Sequence, residues 1–221
     1  MSSSSNAKQV SLASLHYEHP NLALNEADVS ADPFEQFAFW LHEALAQGGS
    51  EANAMTVATA TPDGVPSART VLLKSFDERG FVFYTNYESQ KGRELTTNPR
   101  AALLFHWHML QRQIRINGTV ERTSTEESAD YFHSRARGSQ IGSAASRQST
   151  VIPNREWLEA RLRHLEAEYS ESEVPLPTYW GGFRVTPLSF EFWQGRPSRL
   201  HDRLHYSRQA DGSWRIERLS P

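Results

Sequence analysis

The sequence predicts a mainly β protein, in which an antiparallel barrel is flanked by helices. Strand-like segments follow one another directly and are separated by turn sequences such as PDG at 62–64 and DERG at 77–80. The chain shows neither an internal repeat nor the alternation of strands and helices that marks a parallel sheet. Its 221 residues, 38% of them hydrophobic, can bury one sizeable core. We therefore expect one domain, residues 32–221, preceded by a flexible arm, residues 1–31.

The first regular element after the arm is a helix that starts at Asp32-Pro33, a capping residue followed by proline at the first helical position. The arm is rich in serine, asparagine and alanine and has little periodicity, so no regular structure is predicted there. Gly48-Gly49 should end the helix. Its predicted core-facing stripe consists of Phe34, Phe37, Trp40, Leu41 and Leu45.

Alternating patterns predict the strands, and capping residues followed by helical periodicity predict the later helices. The predicted strands are 55–61, 67–76, 81–86, 101–108, 112–123, 183–195, 199–209 and 214–221. The predicted helices are 89–98, 124–135 and 154–169. In strand 112–123, polar residues at 113, 115 and 117 alternate with Ile114 and Ile116, so one face should contact water.

Composition excludes several classes of function. The net charge of −3 gives the surface no general attraction to nucleic acid or to an anionic membrane. Without cysteine there are no disulfides, thiolate nucleophiles or thiolate metal sites, and no compact histidine motif suggests a metal. Neither a signal peptide nor a membrane span is predicted, so we expect a cytoplasmic protein. Motifs for dinucleotide binding, P-loop phosphoryl transfer and serine hydrolysis are absent.

The stretch YFHSRARGSQIG, residues 131–142, concentrates hydrogen-bond donors. Tyr131, Arg135 and Ser139 are spaced by four, so they would lie within about 80° of one another on a helix that lasts that long. A guanidinium flanked by two hydroxyls suits a phosphate monoester. Gly138 is expected to end the helix. The alternative is that the arginines are solvated surface charges and Tyr131 is a core aromatic.

Two further clusters carry positive charge. Arg69 and Lys74 would lie on opposite faces of one apolar strand, with Lys74 at its buried end or, alternatively, in solvent. Arg199, His201 and Arg203 alternate, so on a strand they would form one cationic face near Trp193. Such a row suits either a solvated sheet edge or an anionic ligand with a ring system.

Seven segments together resemble the pyridoxine (pyridoxamine) 5′-phosphate oxidase family over nearly the whole chain from Asp32. These segments are RTVLLK, FYTNYESQKG, LQRQIRINGTVER, YFHSRARGSQIG, SRQS, WGGFRV and EFWQGRPSRLHDR. The resemblance implies a homodimer of FMN-binding split β-barrels with active sites at the subunit interface. It implies oxidation of pyridoxine 5′-phosphate or pyridoxamine 5′-phosphate at the 4′ carbon to pyridoxal 5′-phosphate, with O2 reduced to H2O2.

The resemblance also implies roles for individual residues. The substrate phosphate would be held by Lys74, Tyr131, Arg135 and Ser139, while Arg199 and His201 would bind the substrate ring and act in catalysis. Arg69 and Lys91 would meet the FMN phosphate. The full set implied for FMN is Arg69, Thr70, Val71, Leu72, Leu73, Lys74, Tyr84, Thr85, Gln90, Lys91, Gln113, Gln148, Ser149, Trp193 and Arg203.

The chain departs from the family pattern at three places, one of which is Ala144 in SQIGSAAS, where the family often has tryptophan. Gln90 replaces the middle basic residue of the common SRKG motif, which removes a positive charge near the FMN phosphate and predicts weaker or more salt-tolerant FMN binding. In the arm, His16 and His19 stand where the family often has an arginine and a tyrosine that close over the substrate. A related flavin oxidase of phenazine biosynthesis and a non-catalytic flavin or pyridoxal-phosphate carrier remain as alternatives.

Overall fold

The computed structural model describes residues 22–47 and 51–221. Five α-helices occur in these residues: α1 Pro33–Ala46, α2 Gln90–Thr97, α3 Thr125–Ser134, α4 Arg137–Ala145 and α5 Arg155–Glu168. The nine strands are β1 Ala54–Ala60, β2 Pro66–Leu72, β3 Ser75–Asp77, β4 Gly80–Asn86, β5 Arg100–Trp107, β6 Arg112–Arg122, β7 Trp180–Gln194, β8 Asp202–Arg208 and β9 Trp214–Arg218. The predicted mainly β class is confirmed.

All strand pairs are antiparallel, and the main path through the sheet is β2-β1-β5-β6-β7-β4-β3, with β8 and β9 added to β7. The two ends of this path, β2 and β3, are joined by only Leu73 and Lys74. Because so short a link holds the first and last strands of the path close together, the sheet must curl round on itself. The predicted strand 67–76 is therefore two strands, and the link between them closes the barrel.

A β-bulge in β7 lets this long strand serve two sets of neighbours. Asn117 pairs with Ser189 and Gly118 with Pro187, which leaves Leu188 without a partner on β6. Because side chains alternate along a strand, one extra residue exchanges the inward and outward positions. Before the bulge Val185 is fully buried, and after it Phe190 is fully buried. The start of β7 can thus pair with β4 and its end with β8.

Two hydrophobic clusters stabilise the fold. The larger fills the barrel under α1, where Phe37 packs edge-on against Phe76, Phe81 and Phe105 at centroid distances of 4.9–5.0 Å. The smaller cluster lies between α3, α4, α5 and the start of β7 and includes Phe132 and Trp180. This second cluster positions the helical layer against the barrel edge.

Each predicted helix is present, α4 was not predicted, and α1 and α5 bury fewer of the predicted apolar residues than expected. Asp32 caps α1 by accepting a hydrogen bond from the Phe34 amide at 2.8 Å, but Leu45 is 54% exposed and does not belong to the core stripe. On α5 the predicted apolar side is only partly covered, because Leu165 alone is buried while Trp157 and Leu162 stay half-exposed. The predicted helix end at Gly48-Gly49 lies outside the described residues.

The segment just before α1 docks on the C-terminal strands. Arg218 donates to Glu26 Oε2 at 2.8 Å, to the Leu24 carbonyl at 2.9 Å and to Asp202 Oδ1 at 2.7 Å. His16 and His19 lie outside the described residues, and the division into arm and domain stays a prediction. In the described part of the chain, none of the helices has the length and apolar character needed to cross a membrane.

Candidate functional site

A cleft of about 640 Å³ opens where the barrel edge meets the helical layer. It is built by β2 and its link to β3, the end of β4, the first turn of α2, and the α3–α4 region. The predicted site residues that line it are Thr70, Val71, Leu72, Lys74, Tyr84, Thr85, Lys91, Tyr131, Arg135, Ser139 and Gln148. Lining residues that the sequence did not single out are Asn86, Ala136, Gly142, Ser143, Ser146 and Trp180.

Tyr131 and Ser139 lie on two different helices and Arg135 lies between them, so the condition that one helix extends through all three residues is not met. Helix α3 ends at Ser134, Arg135 has extended backbone angles (φ −78°, ψ 153°), and α4 begins at Arg137. Gly138 does not end a helix but lies in the first turn of α4. The break turns the chain around Arg135, so that the three side chains converge on the cleft from both sides of the corner.

The Arg135 guanidinium is held in place by neutral partners. It donates to Ser143 Oγ and to the Ser139 carbonyl, both at 3.0 Å, and lies 4.9 Å from the centre of the Trp180 ring. Beside it, Tyr131 stacks on Tyr84 with ring centroids 4.0 Å apart. Burial lowers the pKa of Arg135 without changing its charge at neutral pH. Trp180 and Ser143 thus orient a cation whose charge no described carboxylate neutralises.

One of the two sequence interpretations placed Lys74 at the end of a buried strand, and the structure contradicts it. Strand β2 alternates between exposed and half-buried residues, and Lys74 is an exposed residue in the two-residue link to β3. Its backbone amide donates to the Val82 carbonyl at 2.9 Å, and its ammonium lies 6.0 Å from the Tyr131 ring centre. The closure of the barrel, rather than strand periodicity, turns Lys74 toward the cleft.

Lys91 is the buried cation of the cleft, with 7% of its surface exposed. Its ammonium donates to Thr85 Oγ1 and to Gln148 Oε1, each at 3.1 Å. Burial, together with the nearby charge of Arg69, lowers the pKa of Lys91 to about 8, although Glu94 acts in the opposite direction. A dianion placed beside this ammonium would reverse the effect of burial.

The cleft is therefore an electropositive pocket without acidic residues. Among residues 22–47 and 51–221, Lys74, Lys91 and Arg135 form no ion pair, and no aspartate or glutamate lines the cleft. By contrast, Arg184 and Arg203 each pair with a carboxylate. Concentrated cations that lack carboxylate partners are expected where a ligand brings the negative charge.

Arg69 stands behind the cleft wall and does not line it. Its guanidinium donates to Thr59 Oγ1 at 2.5 Å and to Ser67 Oγ at 2.6 Å, and pairs with Glu94 at 3.4 Å. Glu94 also accepts from Gln90 Nε2 at 3.0 Å. Burial alone would raise the pKa of Glu94, but the hydrogen bonds from Ser67, Thr59 and Gln90 and the charge of Arg69 lower it to about 2.

A second group of predicted residues lies on the outer face of the sheet. Gln113 pairs with Trp193, and Trp193 with Arg203, so the three stand side by side across β6, β7 and β8. Their strand neighbours Ile114, Phe192 and Leu204 point into the barrel and are fully buried. Arg203 donates to Glu191 Oε1 at 2.9 Å, which holds its guanidinium along this face.

Arg199 and His201 do not share a strand face with Arg203, and that prediction is wrong. Pro197–Arg199 is a 3₁₀ turn in which Ser198 and Arg199 have φ of 57° and 61°, and β8 begins only at Asp202. The His201 ring lies 4.5 Å from the Trp193 ring, and its Nδ1 accepts a hydrogen bond from the Arg196 amide at 3.1 Å. That bond places the proton of the neutral imidazole on Nε2.

The two groups lie at opposite ends of β7. Tyr84 of the cleft pairs with Gly182, whereas Gln113 of the outer face pairs with Trp193, roughly 35 Å farther along the extended chain. The cleft lining includes none of the second group, which consists of Gln113, Trp193, Arg199, His201 and Arg203. Leu73, Gln90 and Ser149 also lie outside the lining; Leu73 is buried in the core, and Ser149 has a φ of 67°.

Comparison with known proteins assigns the chain to a family. Residues 41–169 match the profile of the family described as "Pyridoxamine 5′-phosphate oxidase". A curated pyridoxine/pyridoxamine 5′-phosphate oxidase of Microcystis aeruginosa is 57% identical over 212 residues, covering 96% of this chain and 99% of the relative. The chain belongs to the pyridoxamine 5′-phosphate oxidase family. A further member, from Rubrobacter xylanophilus, is 57% identical over 210 residues, covering 95% of this chain and 96% of the relative.

Solved structures agree with this membership. PhzG of Burkholderia lata, determined with tetrahydrophenazine-1-carboxylic acid, superposes with a TM-score of 0.85 at 33% identity, covering 91% of this chain and 99% of that one. An FMN-binding relative of pyridoxamine 5′-phosphate oxidase from Nostoc punctiforme shares the fold, with a TM-score of 0.68 at 17% identity over 87% of this chain and 99% of that one. The predicted split-barrel fold is thereby confirmed.

Membership in the pyridoxamine 5′-phosphate oxidase family makes the chain an oxidase of this family and implies a flavin cofactor. Residues 180–221 match the profile described as "Pyridoxine 5′-phosphate oxidase C-terminal dimerisation region", which indicates a homodimer. This region contains β7, β8 and β9, and with them most of the second group of site residues.

Proposed function

We propose that the protein is an FMN-dependent oxidase that converts pyridoxine 5′-phosphate or pyridoxamine 5′-phosphate to pyridoxal 5′-phosphate. The observation that carries this proposal is the cleft in which Lys74, Lys91 and Arg135 converge without an acidic partner. Two phosphate monoesters, one on the cofactor and one on the substrate, would supply the missing negative charge. The alcohol substrate and O2 give the aldehyde and H2O2, and the amine additionally takes up water and releases ammonia.

We assign the substrate phosphate to the α3–α4 corner. Arg135 would offer its guanidinium fork, Tyr131 and Ser139 their hydroxyls, and Lys74 a second positive charge across the cleft. The guanidinium is already ordered by Ser143 and by the Trp180 ring. Less side-chain entropy is therefore lost when the phosphate binds.

We assign the cofactor to the opposite part of the cleft. Lys91, with Thr85 and Gln148 bonded to it, suits the FMN phosphate, and the 70–72 segment of β2 and Tyr84 line the space beside it. The donors fit the group, because a buried ammonium and hydroxyl and amide side chains bind a phosphate ester well. A bound flavin would accept the hydride that leaves the 4′ carbon of the substrate.

The second group of residues suits a site completed by dimerisation. Since Gln113, Trp193 and Arg203 stand at the far end of β7, we propose that a second copy of the chain brings its outer sheet face to the cleft. Arg199 and His201 would then lie over the substrate ring. The Arg199 guanidinium would stabilise the negative charge that passes to the flavin with the hydride, and His201 would present its Nε2 proton.

A second candidate function is the oxidation of a tricyclic acid without phosphate. It is favoured by the 33% identity to PhzG, whose structure holds tetrahydrophenazine-1-carboxylic acid. The Tyr131, Arg135 and Ser139 corner argues for a phosphorylated substrate instead, because a carboxylate on a ring system needs no second cationic corner. A non-catalytic carrier would have no use for Arg199 and His201.

Anaerobic reduction of the bound flavin tests the proposal. The purified protein should be yellow, and pyridoxine 5′-phosphate added without O2 should bleach it while pyridoxal 5′-phosphate forms in equal amount. A tetrahydrophenazine carboxylic acid should leave the colour unchanged. The proposal would be contradicted if the flavin kept its colour with pyridoxine 5′-phosphate and was bleached by the tetrahydrophenazine carboxylic acid.

Gln90→Arg is expected to tighten FMN binding about threefold to tenfold. The new guanidinium would stand one residue before Lys91 and add a charge-assisted contact near the cofactor phosphate. Fluorescence titration of the apoprotein measures the dissociation constant, and the gain should shrink as salt is raised. Gln90→Met, of similar length and without charge, is the control. An unchanged or larger dissociation constant for Gln90→Arg would show that position 90 does not face the phosphate.

FMN affinity is expected to fall as the pH rises above about 8. Below that value Lys91 is already charged, whereas above it the neutral amine must take up a proton when the phosphate binds. The association constant should therefore be flat from pH 7 to 8 and then decline by up to about tenfold per unit. Lys91→Arg, charged throughout, should remove the decline. A flat profile for the parent protein up to pH 9.5 would contradict this role for Lys91.

A further inference from the structure

The turn that carries Arg199 has a strained backbone. Ser198 and Arg199 are consecutive non-glycine residues in the left-handed region, with φ of 57° and 61°. Residues with side chains rarely adopt this region, so the conformation persists only where neighbouring contacts hold it. Within the turn, the Leu200 amide donates to the Pro197 carbonyl at 3.2 Å. Further support must come from the base of the turn, where the residues on either side of it meet.

Two contacts of Arg196 close this base. Its backbone amide donates to His201 Nδ1 at 3.1 Å, and its guanidinium Nε lies 3.6 Å from Asp202 Oδ2. The side chain of Arg196 is 28% exposed and that of Asp202 is 18% exposed. Because solvent and salt screen a partly buried ion pair less than an exposed one, this contact can hold the two ends of the turn together.

The Asp202 carboxylate is itself held from two other directions. Oδ1 accepts a hydrogen bond from Arg218 Nη1 at 2.7 Å, and Oδ2 accepts one from the Leu24 amide at 3.1 Å. Arg218 ends β9 and also pairs with Glu26 at 2.8 Å, while Leu24 lies in the segment before α1. The carboxylate therefore ties Arg196, and with it the base of the turn, to parts of the fold that the proposed reaction does not use.

We propose that Asp202 is a positioning residue for the oxidase reaction, which orients Arg199 and His201 through Arg196. The inference rests on the proposed function, because it takes the Arg199 guanidinium and the His201 Nε2–H to act on the substrate. The Asp202 carboxylate is engaged by three protein donors, so it acts on the reaction only through the geometry of the turn. Loss of its charge should therefore slow hydride transfer and leave phosphate binding at the α3–α4 corner unchanged.

Anaerobic stopped-flow reduction of the FMN-loaded protein by pyridoxine 5′-phosphate tests this role. Asp202→Asn keeps the shape of the side chain but removes the charge that faces Arg196. The limiting rate of flavin reduction should fall about tenfold to a hundredfold, the order expected when a reacting group is slightly misplaced. The half-saturating substrate concentration should stay within about threefold of the parent value, because the phosphate contacts do not change.

Variants of Arg196 test the same contact from its other end. Arg196→Met should show the same fall in limiting rate, and Arg196→Lys, which keeps a cation within reach of Asp202, should lie between Arg196→Met and the parent. The double variant with Asp202→Asn should be no slower than the slower single variant, since no contact is left to remove. Glu26→Gln is the matched control, because it removes another acidic partner of Arg218 and leaves the Arg196–Asp202 pair intact. It should keep the parent rate.

A parent rate of flavin reduction in Asp202→Asn, whatever its melting temperature, would overturn the inference and make Asp202 a purely structural residue. A higher half-saturating concentration at an unchanged limiting rate would overturn it as well, since Asp202 would then act in substrate binding. Losses that multiply in the double variant would show that Asp202 and Arg196 act independently. If Asp202→Asn does not retain FMN, Arg196→Met and Arg196→Lys decide by the same criteria. A parent protein that pyridoxine 5′-phosphate does not reduce would instead overturn the proposed function.

Discussion

Replacing Arg199 by leucine is expected to lower kcat for pyridoxine 5′-phosphate about a hundredfold to a thousandfold, with little change in KM. The proposed role of the guanidinium is to stabilise charge that develops only as the hydride leaves, and such contacts act on the transition state more than on the bound substrate. Leucine and arginine tolerate the left-handed backbone at position 199, where φ is 61°, about equally, since neither is β-branched. The 3₁₀ turn should therefore persist.

Anaerobic stopped-flow reduction of the flavin isolates this step from O2 chemistry and product release. Arg208→Leu, which removes an exposed arginine at the end of β8, is the matched control and should keep the parent rate. The FMN content of both variants should equal that of the parent. A normal flavin-reduction rate in Arg199→Leu would show that Arg199 does not lie over the reacting ring, and the proposed dimeric site would need another arrangement.

Replacing Arg135 by alanine is expected to raise KM for pyridoxine 5′-phosphate about thirtyfold and to leave kcat within about threefold. A hydrogen-bonded charged pair contributes about 2 kcal/mol, and the contact with the phosphate is the same in the bound substrate and in the transition state. The KM of Arg135→Lys should lie between those of the parent and of Arg135→Ala, because an ammonium keeps the positive charge but lacks the planar pair of N–H donors of a guanidinium.

Two controls separate phosphate binding from structural damage. Arg137→Ala removes an exposed arginine two residues away that does not line the cleft, and it should behave as the parent. Unphosphorylated pyridoxine, which lacks the group that Arg135 would bind, should be oxidised at the same rate by the parent and by Arg135→Ala. If KM for the phosphorylated substrate is unchanged in Arg135→Ala, the α3–α4 corner does not hold the phosphate.

Local features of the sequence were sufficient to predict most of the elements. The alternation from Gln113 to Asn117 matches the observed strand β6, with Ile114 and Ile116 fully buried and Arg115 exposed. Asp32 caps α1 where predicted, and Ser124, the first residue of the predicted helix 124–135, caps α3, because a capping side chain needs only the amides of the next turn. Such signals depend on neighbours within four residues, so they can be recognised without the fold.

The errors occur where the chain leaves regular geometry. The break at Arg135 and the left-handed turn at Arg199 both interrupt patterns that extend through them in the sequence. The extra residue at Leu188 reverses the facing of β7, which alternation alone would not reveal. Trp180 and Ser143 were overlooked because they orient Arg135 through contacts made only after folding.

The sequence by itself determined the antiparallel class, the order of the elements and the donor groups that suit phosphate, because these follow from short-range patterns of polarity and charge. Only the tertiary structure decided which of those groups meet. Arg69 and Glu94 are 25 residues apart in the chain and pair only when α2 packs on the β1–β2 hairpin, while Gln113 and Trp193 are separated from the cleft by the length of β7. The physical reason is that charge pairing depends on distance in space, and closure of the barrel sets that distance.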